Sequence, residues 1–130
     1  MRFLTIAQAT GIATTAKRLL LRLDDPQAVV VRIWRLRYND DGRLLAYEEI
    51  SMPSTRLPHD SDLSLDLIDL ARQRGLTLGR ATEFVLRAPA DPGVATHLGV
   101  AVGTKVVKLD RIVETPDGVP IEWRLTYFRE

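Results

Sequence analysis

The run Ala28-Val29-Val30-Val31-Arg32-Ile33-Trp34-Arg35-Leu36-Arg37-Tyr38 is the strongest strand signal in the chain, and Asn39-Asp40-Asp41-Gly42 follows it directly. β-branched and aromatic side chains favour an extended backbone. Strict alternation then puts Val29, Val31, Ile33, Arg35 and Arg37 on one face. Val30, Arg32, Trp34, Leu36 and Tyr38 fall on the other. Gly42 after Asp41 tolerates the positive φ of a tight turn, so Leu44 to Met52 returns as the second strand of a hairpin.

A second hairpin has the same design. Lys105 to Thr115 is a strand, Pro116-Asp117-Gly118 a turn, and Val119 to Arg129 the return. Working outward, Phe3 to Ala9 is a short strand. Ala13 to Leu23 reads as a helix that starts at Thr14 or Thr15, turns Ala16, Leu19, Leu20 and Leu23 inward, and ends at Asp24-Asp25-Pro26. Pro53 and Pro58 bracket a loop that also holds His59. Leu63 to Arg74 is a helix capped by Ser61 or Asp62, with Leu63, Leu67, Leu70 and Ala71 inward and Gly75 past its end. Arg80 to Ala88 is a strand. Asp91 as N-cap and Pro92 at the first helical position open a short helix with Val94, Ala95 and Leu98 inward, and Gly99 stops it. Short hairpin connections imply antiparallel pairing. The expectation is one α+β domain over residues 1–130, an antiparallel sheet with helices covering a face.

The two hairpins also match each other. With an offset of 76 residues, Val30, Val31, Arg35, Asp41 and Gly42 fall on Val106, Val107, Arg111, Asp117 and Gly118. A short helix precedes the strand in both copies. This points to a duplication, whose halves would leave a cleft at their junction, a natural ligand site.

Composition narrows the function. Hydrophobic residues make up 45% of the chain, enough for a packed core. Eighteen basic residues against 17 acidic ones give a net charge of +1, without the basic excess of a domain that grips nucleic acid by its backbone. The absence of cysteine removes disulfides and thiolate zinc sites and suits a reducing cytoplasm. Apolar runs such as Leu19 to Leu21 are too short for a bilayer, and the N-terminus lacks a signal-peptide pattern. No HExxH, G-x-S-x-G, P-loop or G-x-G-x-x-G occurs, so no catalytic residue, metal or cofactor is expected. His97, beside Leu98 on a helix, reads as structural.

Arg35 and Arg37 are the sharpest chemical signal. Two apart on a strand, they point to the same side, about 7 Å apart at roughly 3.3 Å per residue. Planar paired donors suit a carboxylate or a phosphate. Two readings stand at this point: a clamp on one anion, or two arginines paired with acids on the next strand. Glu48 and Glu122, each on the return strand of its hairpin, are open in the same way. They can accept from ligand hydroxyls and amides or pair with Arg35, Arg37 or Arg111. Ser64 sits where free helix N–H groups favour an anion, and Tyr127 is a candidate pocket wall.

These residues, in this order, resemble the UTRA domain. The resemblance runs through Arg35-Leu36-Arg37, Asp41-Gly42, Glu48, Pro53, Ser64-Leu65, Val106-Val107, Arg111, Asp117-Gly118-Val119-Pro120-Ile121-Glu122 and Tyr127-Phe128-Arg129. UTRA is the ligand-binding domain of HutC-type GntR transcriptional regulators. The resemblance implies a chorismate-lyase-like fold, an antiparallel sheet flanked by helices. It implies a cytoplasmic effector sensor, usually a homodimer, that meets DNA only through a winged-helix domain N-terminal to this segment and has no membrane contact. It also implies that the family continues past Arg129 with a further strand segment. Arg35 and Arg37 match the paired arginines that hold the anionic part of effectors. Glu48 and Glu122 match acidic positions facing the pocket, and Ser64 a helix-start serine near a phosphate. Asp66 stands where some sugar-phosphate sensors carry Tyr, and Phe128 where Tyr is common; both departures argue against a sugar phosphate.

The expected function is therefore the sensing of a small anionic metabolite. The anion is expected on the first copy, which carries Arg37 where the second has Val113, while the second supplies Glu122 and scaffold. The rival readings are a chorismate-lyase-like enzyme and a dimerisation module with a vestigial pocket.

Overall fold

The computed structural model describes residues 2–57 and 67–130. Its elements run β1 (Arg2–Ile12), α1 (Thr15–Leu21), β2 (Val29–Tyr38), β3 (Leu44–Pro53), α2 (Leu67–Arg74), β4 (Ala81–Pro89), α3 (Pro92–Leu98), β5 (Lys105–Glu114) and β6 (Pro120–Phe128). A 3-10 turn, Ser54–Arg56, follows β3. All strands form one antiparallel sheet in the order β1-β2-β3-β6-β5-β4. The expected α+β architecture, an antiparallel sheet with flanking helices, is observed. No helix among the described residues is long and apolar enough to cross a membrane.

The duplication is visible in three dimensions. The units β1-α1-β2-β3 and β4-α3-β5-β6 have the same element order, and β3 pairs with β6 at the centre of the sheet. Both hairpins keep one register: Arg35 lies opposite Glu48 in the first, and Arg111 opposite Arg124 in the second. Even the irregularities correspond. The register shifts between Arg37 and Tyr38 in one hairpin and between Val113 and Glu114 in the other, equivalent places in the repeat. Gly42 and Gly118 both take positive φ, 79° and 80°, as the turns require.

Helices α1 and α3 cover one face of the sheet. Val94, Ala95 and Leu98 of α3 pack with Tyr47, Val106 and Tyr127. The Asp91 side chain accepts from Val94 N, and Gly99 ends the helix with φ 68°, as expected. Leu21 and Leu23 pack with Ala13 and Val30. On the other face Val31, Ile33, Ile50 and Met52 form a cluster, and Leu67 and Leu70 of α2 pack against Val113 and Ile121. The part of the expected second helix before Leu67 lies outside the described residues.

Helix α1 departs from expectation. Its buried residue is Leu21, while Leu19 and Leu20 are 74% and 43% exposed. The helix stops before Asp24 because Arg22 takes the left-handed conformation, φ 51° and ψ 59°. That turn redirects Leu23 into the core. Tertiary bonds hold it: Arg22 Nη2 donates to Glu114 Oε2 and to the Gly118 carbonyl. Arg56 then donates to the carbonyls of Leu21, Arg22 and Pro120. These partners are far apart in sequence, so periodicity alone turned Ala16, Leu19 and Leu20 inward wrongly, while Leu23 is buried as expected.

Candidate functional site

The sheet face opposite α1 and α3 carries a network of arginine and glutamate. Strand alternation sets Arg35 and Arg37 side by side on β2, and the hairpin register brings Glu48 across from Arg35. The central pairing then places Thr126 across from Glu48 and Arg124 across from Ile50. Glu122, Arg124 and Thr126 alternate onto the same side of β6, and Arg111 faces Arg124 from β5.

Glu48 is the hub. Its Oε1 accepts from Arg35 Nε at 3.0 Å, and its Oε2 accepts from Thr126 Oγ1 at 2.8 Å and Arg124 Nη1 at 3.4 Å. Arg37 Nη1 stands 3.7 Å from the same Oε2. Arg124 also grips Glu122 with a two-pronged fork, Nε to Oε1 at 2.9 Å and Nη2 to Oε2 at 3.0 Å. Arg111 reaches Glu122 at 3.5 Å and Glu83 at 3.7 Å. The Phe3 ring lies under both β2 arginines, 4.0 Å from the Arg35 guanidinium carbon and 5.6 Å from that of Arg37.

Burial divides the network. Arg35, Glu48, Glu122, Arg124 and Thr126 are all buried. The side chains of Arg37 and Arg111 keep 23% and 24% of their surface. The outer guanidiniums thus border solvent from opposite halves of the duplication, above a buried ionic floor. Buried ions are stable only when paired and hydrogen-bonded, which explains the density of contacts within the floor. Four guanidiniums meet two buried carboxylates here, with Glu83 at the margin. Arg35, Arg37 and Arg124 make further contacts beyond these. Buried Arg111 Nε has no hydrogen-bond partner among the described residues. Such an assembly can bind an anion by charge and by directed N–H donors.

Arg35, Arg37, Glu48 and Glu122 are therefore brought together. Tyr127 is not: it lies on the opposite face, its ring 6.1 Å from that of Tyr47 in the α3 core. Glu122 and Tyr127 are five residues apart on one strand, an odd spacing that puts them on opposite sides. Ser64 lies outside the described residues. Arg124, Thr126 and Phe3 were missed. A signal for Arg124 existed, because it follows Glu122 by two residues and occupies Glu48's place in the repeat. The second copy thus contributes guanidiniums, Arg111 and Arg124, as well as Glu122 and scaffold.

Fold and site together define an α+β domain of duplicated design, with a cationic network on the sheet face away from α1 and α3. The UTRA domain model matches residues 3–130, and the chain belongs to that family. The HTH-type transcriptional regulator Rv0792c of Mycobacterium tuberculosis is 43% identical over 51 residues, 39% of this chain. That match spans only 19% of the curated relative's length. The effector domain of PhnF from Mycobacterium smegmatis superposes with a TM-score of 0.84 at 25% identity, over 98% of this chain and 79% of that one. A GntR-family transcriptional regulator from Enterococcus faecalis gives a TM-score of 0.84 at 18% identity, over 98% of this chain and 92% of that one. At that identity the likeness concerns the fold alone.

Proposed function

We propose that this chain is the effector-sensing domain of a cytoplasmic GntR regulator of the HutC type. It binds a small anionic metabolite on the arginine face and has no catalytic role. It works as a homodimer, contacts DNA only through an attached winged-helix domain, and meets no membrane. The observation that carries this reading is the pair Arg37 and Arg111. Both are part-exposed, and both stand over the buried floor of Glu48 and Glu122. From the family resemblance, Ser64 is proposed as a further contact of the anion. Tyr127, on the far face, supports the site from behind the sheet rather than touching the ligand. Family membership and the regulators among its relatives support the sensing role. The effector acts by binding two arrangements of the paired domains unequally, since only differential affinity shifts such an equilibrium.

Thermal-shift screening with small carboxylates and phosphate esters, followed by calorimetry on the best binder, tests the reading. Arg37→Ala and Arg111→Ala should each weaken binding about tenfold or more, which corresponds to roughly 1.4 kcal/mol. Unchanged affinity in both variants, or equal binding of uncharged analogues, sinks the anion site.

A further inference from the structure

The sheet face beneath α1 and α3 holds a cavity that neither helix fills, about 110 Å³ in volume. It lies where the two cores meet: Trp34 and Leu125 pack with the α3 cluster, and Trp123 packs with the α1 cluster. Strand register builds its walls. Trp34 stands opposite Glu49, and Arg32 and Trp123 both stand opposite Ser51. Lys17 reaches it from α1. Alternation sets this cavity and the arginine network on opposite sides of β2, β3 and β6, with Glu49 next to Glu48 in sequence.

Charge in the cavity is poorly matched. The Arg32 guanidinium carbon lies 4.5 Å from the centre of the Trp34 ring. Among the described residues, the side chains of Lys17 and Arg32 have no hydrogen bond and no ion pair. Burial and, after it, Arg32 lower the Lys17 pKa, while nearby Glu49 pulls the other way without pairing. Glu49 Oε1 accepts from the Tyr47 hydroxyl at 3.3 Å, and its Oε2 accepts from no described residue. Trp123 Nε1 donates to Asp110 at 2.8 Å, so that indole offers the cavity its ring rather than its donor. Two cations against one carboxylate leave one positive charge over. A part-buried cation gains from a countercharge that replaces the water it has lost.

We propose that this cavity is a second ligand site, which takes a small α-hydroxycarboxylate. The ligand's carboxylate lies between Lys17 and Arg32, its hydroxyl donates to Glu49, and its carbon atoms rest against Trp34 and Trp123. One negative charge neutralises the excess, and a hydroxyl beside it meets the open acceptor. Size agrees: a water in the liquid occupies about 30 Å³, so the space suits a ligand of a few heavy atoms. The site draws on no residue of the arginine network and stands apart from the function proposed for that face.

Both tryptophans of the chain line the cavity, so intrinsic fluorescence reports on it. Titration of the 130-residue chain with glycolate should shift the emission and saturate, with Kd measured by calorimetry. Lys17→Met and Arg32→Gln should each raise Kd about tenfold or more. Arg37→Ala combined with Arg111→Ala should leave it unchanged, which separates this site from the arginine face. Acetate should bind more weakly than glycolate, and Glu49→Ala should erase that preference. Circular dichroism checks that each variant folds; if Arg32→Gln does not, Lys17→Met decides. No saturable response up to tens of millimolar glycolate, an unchanged Kd in folded Lys17→Met, or lost binding in the Arg37 and Arg111 double variant overturns the site. Equal binding of acetate, or a preference that survives Glu49→Ala, overturns the hydroxyl contact.

Discussion

Glu48 and Arg124 occupy the same position in the two copies of the repeat, and their side chains meet, Arg124 Nη1 lying 3.4 Å from Glu48 Oε2. In a strictly symmetric duplication two like residues would stand there, and two like charges would repel in a buried site. One copy carries the acid and the other the base, so the junction of the halves is held by attraction. Glu122 completes the arrangement by gripping the rest of the Arg124 guanidinium.

This relationship predicts strong coupling between the two positions. Glu48→Gln leaves Arg35 and Arg124 without their shared countercharge and should cost about 3 to 5 kcal/mol of stability. Arg124→Gln should cost a similar amount. The double variant should lose less than the sum, with a coupling of about 1 to 3 kcal/mol in a urea-unfolding cycle. Strict additivity would show that the pair is energetically idle.

The two β2 arginines should behave differently despite their shared face. Arg35 is fully enclosed, bonded to Glu48 and stacked on Phe3, so Arg35→Ala should destabilise by about 3 kcal/mol or more. Arg37 is partly exposed and stands 3.7 Å from Glu48, so Arg37→Ala should cost about 1 kcal/mol or less. Equal losses on chemical denaturation would contradict the division into floor and rim. The gap also makes Arg37→Ala the cleaner probe of ligand binding.

Gly79 is required by space. A Cβ there would come within 2.6 Å of Thr115 C and 2.7 Å of Pro116 N, both rigid backbone atoms. Its N–H is also bonded to Glu114 O at 2.7 Å. Gly79→Ala should therefore cost about 1 to 3 kcal/mol, measured as a lowered denaturant midpoint with an unchanged slope. A neutral substitution would mean that the second hairpin's turn yields freely.

Lys17 makes stability depend on alkaline pH. Burial and, after it, the neighbouring Arg32 push its pKa below the ordinary lysine value of 10.5. Between the lowered value and the unfolded one, the unfolded chain holds more protons, so stability rises with pH across that window. Lys17→Met should remove this rise. It should raise Tm at neutral pH by about 1 to 3 °C, and the gap to wild type should close as pH approaches 10.5. A constant gap at every pH would point to packing rather than charge.

Local patterns in the sequence determined the hairpins, their glycine turns, the Asp91–Pro92 helix start and the duplication. Each rests on alternation, backbone preference or a fixed period, which neighbouring residues express without help from the rest of the chain. The common side of Arg35 and Arg37 follows from the same alternation. Tyr127 could have been placed on the far face by its odd spacing from Glu122, but alternation does not say which face a helix will cover. Only the tertiary structure decided that α1 and α3 take one face and leave the arginines on the other. It also decided that Leu21 rather than Leu19 enters the core, through the bonds of Arg22 and Arg56 to distant carbonyls. The meeting of Glu48 with Arg124 needed β3 beside β6, a pairing 76 residues apart. Such pairing is selected by burial and charge over the whole sheet, and no short stretch of sequence carries that energy.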